Sequence, residues 1–249
     1  MKKLENKVAV ITGASKGIGA GIAKQLAAAG ANVVVNYASA KAGADAVVAE
    51  IVANGGKAIA VQGNVTSEAD LARLFEETQQ AFGAVDILVN NAGVYKFGAI
   101  EEINAEDFHQ QFDTNVLGLL LATKVAVKNF NTNGGSIINI GSAVSAITPV
   151  ASAVYTATKS AVDAITHVLA KELAGKKIRV NSINPGMVET EGTHTAGFIG
   201  SDFETELVRT TPLGRVGQPG DIADVAVFLA SEDARWLTGE ILLVSGGVR

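Results

Sequence analysis

Short apolar runs alternate with helix-patterned stretches along the whole chain, at intervals of roughly 25–30 residues. Val8-Ala-Val-Ile-Thr12, Asn32-Val-Val-Val-Asn36, Ala58-Ile-Ala-Val61, Asp86-Ile-Leu-Val-Asn90, Ser136-Ile-Ile-Asn-Ile140, Arg179-Val-Asn-Ser-Ile183 and Glu240-Ile-Leu-Leu-Val244 are such runs. They are too short for helices, and most show no polar face, which is the pattern of strands covered on both sides. Between them, residues 17–30, 40–54, 105–130 and 153–174 carry apolar residues at helical spacing. Ser67 starts another helix, with Asp70 at the capping-box position, and Asp221 caps a last one that runs to Ala230. The stretch 192–217 shows no sustained period apart from a short helix near 203–208. Strands and helices in alternation give a parallel sheet with helices on both faces, and right-handed crossovers leave few topologies. The expected architecture is therefore α/β, a doubly wound Rossmann fold in a single domain over residues 1–249. Apolar residues make up 48% of the chain, enough for a large core, and four prolines without a Ser/Gly-rich run leave no linker.

In open parallel sheets ligands bind beyond the carboxyl ends of the strands. Gly13, Asn90, Ser142 and Pro185 each lie at or just after the end of a predicted strand, so they share one edge. The remaining bulk properties narrow the chemistry. Net charge is −5, and no basic run is longer than two residues, which argues against nucleic acid. There is no cysteine, and His109, His167 and His194 lack a ligand spacing, so no metal site is expected. No apolar run reaches membrane-spanning length and no cleavable leader is visible, so neither a membrane nor export is expected and the cytoplasm is the default compartment.

Two motifs carry chemistry. Gly13-x-x-x-Gly17-x-Gly19 follows a strand and opens a helix. Glycines there allow a tight turn and close approach of a pyrophosphate, while the helix start supplies N–H donors and the positive dipole end. Further on, Ser142 precedes Tyr155-Thr-Ala-Thr-Lys159 by twelve residues. With three tyrosines and fourteen lysines, a lone Tyr-x-x-x-Lys pair arises by chance about one time in six, so its position matters more than its presence. Tyr155 and Lys159 are one helical turn apart. A phenol, an ammonium that lowers its pKa and a hydroxyl donor around one carbonyl suit proton transfer beside hydride transfer.

Thr12-Gly-Ala-Ser-Lys-Gly17-Ile-Gly19, Asn90-Asn91-Ala92-Gly93 and the Ser142, Tyr155, Lys159 set occur in this order at matching spacing. Together they resemble the short-chain dehydrogenase/reductase family, over residues 7–247. The resemblance implies seven strands and a nicotinamide dinucleotide held by Gly13, Ser15, Lys16, Gly17, Ile18 and Gly19. Where an acidic residue would bind the adenosine 2′-hydroxyl, the chain has Asn36, Tyr37, Ala38 and Ser39, with no carboxylate before Asp45. Lys16, Ser15 and Ser39 can face a 2′-phosphate, the pattern of the NADP-dependent branch. NADP(H) is thus preferred, with NAD(H) as a second cofactor. The same resemblance places Asn64 and Val65 at the adenine, Asn91, Ala92 and Gly93 along the adenosine ribose, and Pro185, Gly186, Val188 and Thr190 at the nicotinamide. It gives Lys159 the nicotinamide ribose hydroxyls, Tyr155 the acid/base role and Ser142 the substrate oxygen. Asn115 supports a water-linked proton path from the lysine. Ser136, Ser145 and Ser152 have the wrong offset for the catalytic serine and are read as loop or cap residues.

Residues 191–211, with His194, Phe198, Ile199 and Phe203, form the expected lid, while Tyr95, Val144, Ile147 and Val150 line the pocket. An apolar pocket without a basic cluster suits a small uncharged ketone or a short acyl carbonyl. Much of the chain resembles the β-ketoacyl carrier-protein reductases, in which an acyl carrier protein docks on basic residues. Lys128 is nearly alone on the first long helix, and Lys171, Lys176 and Lys177 remain on the second. A sugar or polyol dehydrogenase is the other enzymatic alternative. A non-catalytic NADP(H)-binding sensor would need the glycine loop without the Ser-Tyr-Lys set. The long helices, with Val116, Leu117, Leu120, Val162 and Ile165, and the apolar last strand predict a homotetramer, as the family packs them.

Overall fold

Seven strands pair in parallel in the order β3-β2-β1-β4-β5-β6-β7. The computed structural model describes residues 2–249. The strands are β1 (Val8–Ile11), β2 (Asn32–Tyr37), β3 (Lys57–Gln62), β4 (Ile87–Asn90), β5 (Gly135–Ile140), β6 (Ile178–Pro185) and β7 (Ile241–Val244). Each expected run is present. Helices α1 (Gly17–Ala28), α2 (Lys41–Ala53) and α3 (Glu68–Phe82) follow the first three strands. Then come α4 (Ala105–Phe112), α5 (Gly118–Asn129), α6 (Val144–Ile147) and α7 (Ala153–Leu173). The chain closes with α8 (Glu191–Thr195), α9 (Asp202–Thr210) and α10 (Pro219–Ala230) ahead of β7. Strand order reverses between β1 and β4, so their carboxyl ends flank the crevice where such a sheet takes a ligand.

Period-two alternation divides the core between the two faces. Ala9 and Ile11 point to one side with Ile22, Leu26, Val33, Val35 and Leu229. Val10 points to the other with Val34, Leu74, Phe75, Leu88 and Ile137. Most of these side chains are fully buried, each contributing on the order of 1.5–3 kcal/mol. Among the described residues, no helix is long and apolar enough to cross a membrane.

The structure corrects several expectations. The helix predicted over 105–130 is two helices joined by a π turn at Asp113–Leu117. Gly118 directly follows this turn. A Cβ there would lie 2.6 Å from Val65 Cγ2, so α5 meets the loop after β3 more closely than any other residue allows. Asp221 is not the N-cap of α10. Gln218 occupies that position and Pro219 begins the helix, while the Asp221 carboxylate accepts from the Gln218 N–H at 2.7 Å. Proline fits there because the first helical N–H has no partner to lose. Ser67 does cap α3, but Asp70 reaches back to the Asn64 N–H instead of the Ser67 N–H. Val162, expected at a subunit surface, is buried inside this one. Ser136 is not a loop residue; it is buried in β5 and donates to the Leu229 carbonyl.

Candidate active site

The glycine loop is bolted to the sheet by side chains of its neighbours. The Thr12 hydroxyl accepts from the Asn91 and Ala92 N–H groups, both at 3.0 Å. Asn91 Nδ2 donates to the Thr12 and Gly13 carbonyls, both at 2.9 Å. Gly13 has φ +61°, and a Cβ on it would fall 2.8 Å from Ala92 Cα. Positive φ and that close approach together demand glycine. At Gly19 a Cβ would sit 2.4 Å from Asn91 Nδ2. Both glycines thus let Ala92 and Asn91 pack directly against the backbone of the loop. Gly17 N–H donates to Glu191 Oε2 at 2.9 Å, so this helix start already takes a carboxylate oxygen, contributed by α8. Ser15 and Ile18 are half-buried beside it, and Lys16 is exposed. Among the described residues Lys16 has no ion-pair partner.

At the adenosine end the structure reassigns one residue. Asn36 turns inward and is 1% exposed. Its Oδ1 accepts from the Gly13 N–H, and its Nδ2 donates to the Val61 and Gly63 carbonyls. The side chain thus ties the glycine loop to the β3 end, and no polar atom of it is left to meet a ribose. Tyr37 is buried, while Ala38 and Ser39 are exposed. Lys41, which the sequence reading missed, stands exposed at the first turn of α2 and pairs with Asp45 at 2.6 Å. Its signal was positional: a lysine opening the helix that follows the β2 loop. Asn64 is exposed, and its Oδ1 accepts from the Thr66 N–H at 3.1 Å. Val65 is buried under Gly118.

Ser142, Tyr155 and Lys159 converge beyond the β5 carboxyl end. Lys159 is 7% exposed, donates to the Ile140 carbonyl at 2.9 Å and lies 5.8 Å from the Tyr155 ring centroid. Burial pulls its ammonium down to about 8, with Asp163 acting the other way. Burial likewise pushes the Tyr155 phenol up to about 12, against a hydrogen bond with Ser142 that lowers it. The net direction for Tyr155 is upward, opposite to the expected lowering, because its burial outweighs the bond with Ser142. A neutral phenol beside a serine hydroxyl is a proton donor at pH 7.

A polar network that the sequence reading missed holds Ser142. Asn184 Nδ2 donates to the Ser142 carbonyl at 3.2 Å, to Ser145 Oγ at 3.1 Å and to Asp163 Oδ1 at 3.0 Å. Ser182 Oγ donates to Asn184 Oδ1 at 2.6 Å. Asn184 immediately precedes Pro185-Gly186, and Asp163 is one turn beyond Lys159 on α7, so adjacency to two motifs was the available signal. Ser145, expected as a loop or cap residue, lies instead in α6 and belongs to this network, while Ser152 stands at the start of α7 and donates to the Pro149 carbonyl.

Asn115 sits in the π turn, 3% exposed. Its Oδ1 accepts from the Val94 N–H and its Nδ2 donates to the Val94 carbonyl, both at 2.8 Å, and to Thr158 Oγ1 at 3.1 Å. It thereby fixes Gly93-Val94 beside Lys159. Pro185 ends β6, Gly186 closes on Ser245, Val188 is buried, and Thr190 caps α8 above Gly17. Of the residues expected to line the pocket, Val150 is 94% exposed and turned outward. Tyr95 lies 6.1 Å from the Tyr155 ring, centroid to centroid.

The family model described as enoyl-(acyl carrier protein) reductase matches residues 13–249. An uncharacterized oxidoreductase of Methylorubrum extorquens is 62% identical over the full length of both chains. A 3-oxoacyl-(acyl-carrier-protein) reductase of Staphylococcus epidermidis is 39% identical, covering 98% of this chain and 99% of its own. Among solved structures, a short-chain dehydrogenase/reductase from Serratia marcescens superposes with a TM-score of 0.93 at 35% identity, covering 98% of both chains. The angucycline C-6 ketoreductase LanV with bound NADP gives 0.92 at 35% identity, covering 98% of this chain and 96% of its own. A seven-stranded parallel sheet of this order, a glycine-loop cradle at its switch point and relatives of this extent lead to one conclusion: the chain belongs to the short-chain dehydrogenase/reductase family of oxidoreductases.

Proposed function

We propose that the protein is an NADPH-dependent reductase of a small uncharged ketone. The observation that carries this reading is the convergence of a neutral Tyr155 phenol, the Ser142 hydroxyl and the buried Lys159 ammonium on the edge that holds the glycine loop. The start of α1 fits a pyrophosphate, since the Gly17 N–H already donates to an anionic oxygen of Glu191. Lys16, Ser15 and Ser39 would face the 2′-phosphate, with Lys41 nearby. Asn64, Val65, Asn91, Ala92 and Gly93 would line the adenosine, and Pro185, Gly186, Val188 and Thr190 the nicotinamide. When bound, the dinucleotide supplies hydride to the carbonyl carbon. Ser142 donates a hydrogen bond to the carbonyl oxygen as it gains charge, and Tyr155 gives it a proton. Lys159 stabilises the phenolate left behind. Asn115 holds the loop against which Lys159 rests. Two of the NADP(H)-bound structural relatives support the cofactor assignment.

The test is NADPH consumption over a ketone panel, repeated with NADH. Tyr155→Phe should cut turnover by at least two orders of magnitude while NADPH still binds. Activity within a few-fold of the parent would sink the assignment. A second reading, reduction of β-ketoacyl groups on a carrier protein, is supported by the 3-oxoacyl reductase relatives. Lys128, Lys171, Lys176 and Lys177 are all exposed for such a partner. An acetoacetyl thioester in the panel separates the two readings. The assembly we propose is a homotetramer. Leu117, Leu120 and Val168 are 44%, 39% and 52% exposed on α7 and around the start of α5, and Trp236 next to β7 is 95% exposed. Apolar surface at two separate places calls for two interfaces. Light scattering showing a monomer would exclude this.

A further inference from the structure

The chain is poor in aromatic residues, with nine phenylalanines, three tyrosines and one tryptophan. Even so, two of the tyrosines and three of the phenylalanines gather in one place, around the acid/base Tyr155. Phe97 and Tyr95 meet its ring edge-on, with centroids 5.7 and 6.1 Å away and planes at 70° and 60°. Phe198 comes from the 191–211 segment. It packs 6.5 Å from Tyr95 and 6.0 Å from Phe97, and Phe203 stands 5.7 Å behind it.

These rings do not build the core. None belongs to either buried cluster, and Tyr95, Phe97 and Phe203 remain 40%, 40% and 57% exposed. They come from two loops that lack regular structure or form only short helices, and they meet at the mouth of the catalytic crevice. Half-exposed aromatic faces gathered beside a catalytic group are binding surface.

The charges around the cluster are already partnered. Lys96 pairs with Asp107 at 2.6 Å, Glu102 accepts from the Ala99 N–H at 3.0 Å, and Glu191 is bound to Gly17. Among the described residues no unpaired cation stands beside the rings to hold a carboxylate or phosphate, and the carboxylates and amides that line the neighbouring cavity with Phe97, those of Glu102, Asn104, Asp107 and Gln111, are bonded to backbone or to one another instead of standing free for sugar hydroxyls. An aliphatic tail would be served equally well by leucine or valine. Offset and edge-to-face geometry rewards another aromatic ring beyond the area it buries.

We propose that the substrate is an aryl ketone whose ring, attached directly to the reacting carbonyl, packs against Tyr95 and Phe97 under Phe198. This inference rests on the ketoreductase reading above and deepens it. With the carbonyl oxygen on Tyr155 and Ser142, a ring one bond from the carbonyl carbon reaches the two aromatic walls that flank Tyr155. Phe198, carried by the lid, closes over it.

A matched pair of ketones tests this with the intact enzyme and NADPH: acetophenone and cyclohexyl methyl ketone, which have the same carbon skeleton. Conjugation makes the aryl ketone the intrinsically poorer hydride acceptor, so any preference for it comes from the protein. We expect kcat/KM to favour acetophenone by about ten-fold, and that ratio to fall several-fold in Phe97→Leu and again in Phe198→Leu. Both positions lie outside the core, and a urea midpoint shows that each variant is folded. A ratio at or below one in the parent overturns the proposal, as does a ratio that neither substitution moves. Strong preference for an acetoacetyl thioester over both ketones also overturns it while leaving the oxidoreductase assignment intact. Turnover of no ketone, with NADPH binding retained, removes the ketoreductase reading and this inference with it.

Discussion

Replacing Asn115 with alanine deletes three hydrogen bonds made by a buried side chain. The Val94 N–H and carbonyl each lose a partner at 2.8 Å, and Thr158 Oγ1 loses one at 3.1 Å. At about 1 kcal/mol net apiece, with the exposed loop groups at the low end, these come to roughly 2–3 kcal/mol. Alanine's better helix propensity returns about 0.5 kcal/mol. The expected loss is therefore about 2 kcal/mol, read as a lower urea midpoint with unchanged m, at fixed protein concentration because assembly contributes to stability. Thr158→Val, which touches only one of the three bonds, should cost about 1 kcal/mol or less. The clamp also holds Gly93-Val94 against Lys159, so turnover should fall alongside stability. A loss below about 0.5 kcal/mol together with a hundred-fold loss in kcat would refute the clamp and leave Asn115 a direct part in proton transfer.

Three further outcomes follow from the site. Lys159 loses its proton near pH 8 in the folded protein and near 10.5 when unfolded, so its contribution to stability should rise with pH across that window. Tyr155 is held neutral up to about 12 against 10 unfolded, so its contribution should fall from pH 10 upward. Urea midpoints of Lys159→Met and Tyr155→Phe should each lose the matching limb, and a rise that persists in Lys159→Met contradicts the first. Glu191→Gln keeps a hydrogen-bonding oxygen near the Gly17 N–H but removes a charge that competes with a pyrophosphate. NADPH should then bind several-fold tighter by fluorescence titration, and an unchanged Kd would show that Glu191 does not compete. Because Tyr37 is buried, the carboxylate that should turn preference toward NADH belongs on exposed Ala38. Ala38→Asp should lower the NADPH-to-NADH ratio of kcat/KM at least ten-fold, and an unmoved ratio places the 2′-phosphate elsewhere.

The seven strands were legible because buried parallel strands leave a short, wholly apolar signature that local composition does not imitate. The convergence of Ser142, Tyr155 and Lys159 was legible because Tyr155 and Lys159 share a helix, where spacing fixes direction. Asn36 was misread for the opposite reason. A polar residue at a strand end points either to the ligand or back into the sheet, and only the positions of Gly13, Val61 and Gly63 decide which. The π turn at Asp113–Leu117 was invisible for a similar reason. Asn115 inside it bonds the Val94 backbone, 21 residues away in sequence, and helical periodicity carries no trace of that contact. Asn184 and Asp163 escaped because each looks like an ordinary polar residue until the β6 and α7 ends are placed side by side.

Those long-range contacts share a pattern. Thr12, Asn36 and Asn91 direct their polar groups onto the glycine loop, while Asn115 fixes the Gly93-Val94 segment and Asn184 the Ser142 backbone. Each joins the carboxyl end of one strand to a segment belonging to another. A loop built from Gly13, Gly17 and Gly19 has more backbone freedom to lose than any other, and left alone it would have to be ordered by its ligand, weakening binding. With those buried amides and hydroxyls holding it, most of that ordering is completed on folding, when the sheet forms. Among the described residues the exposed Glu191 contact is the one bond to the loop that comes from the 191–211 segment. It is also the one that a ligand can displace without breaking into the core. Rigidity is therefore concentrated at the strand ends, where a bound phosphate and carbonyl need placing to within a fraction of an ångström, and the contact that a ligand can exchange is left at the surface.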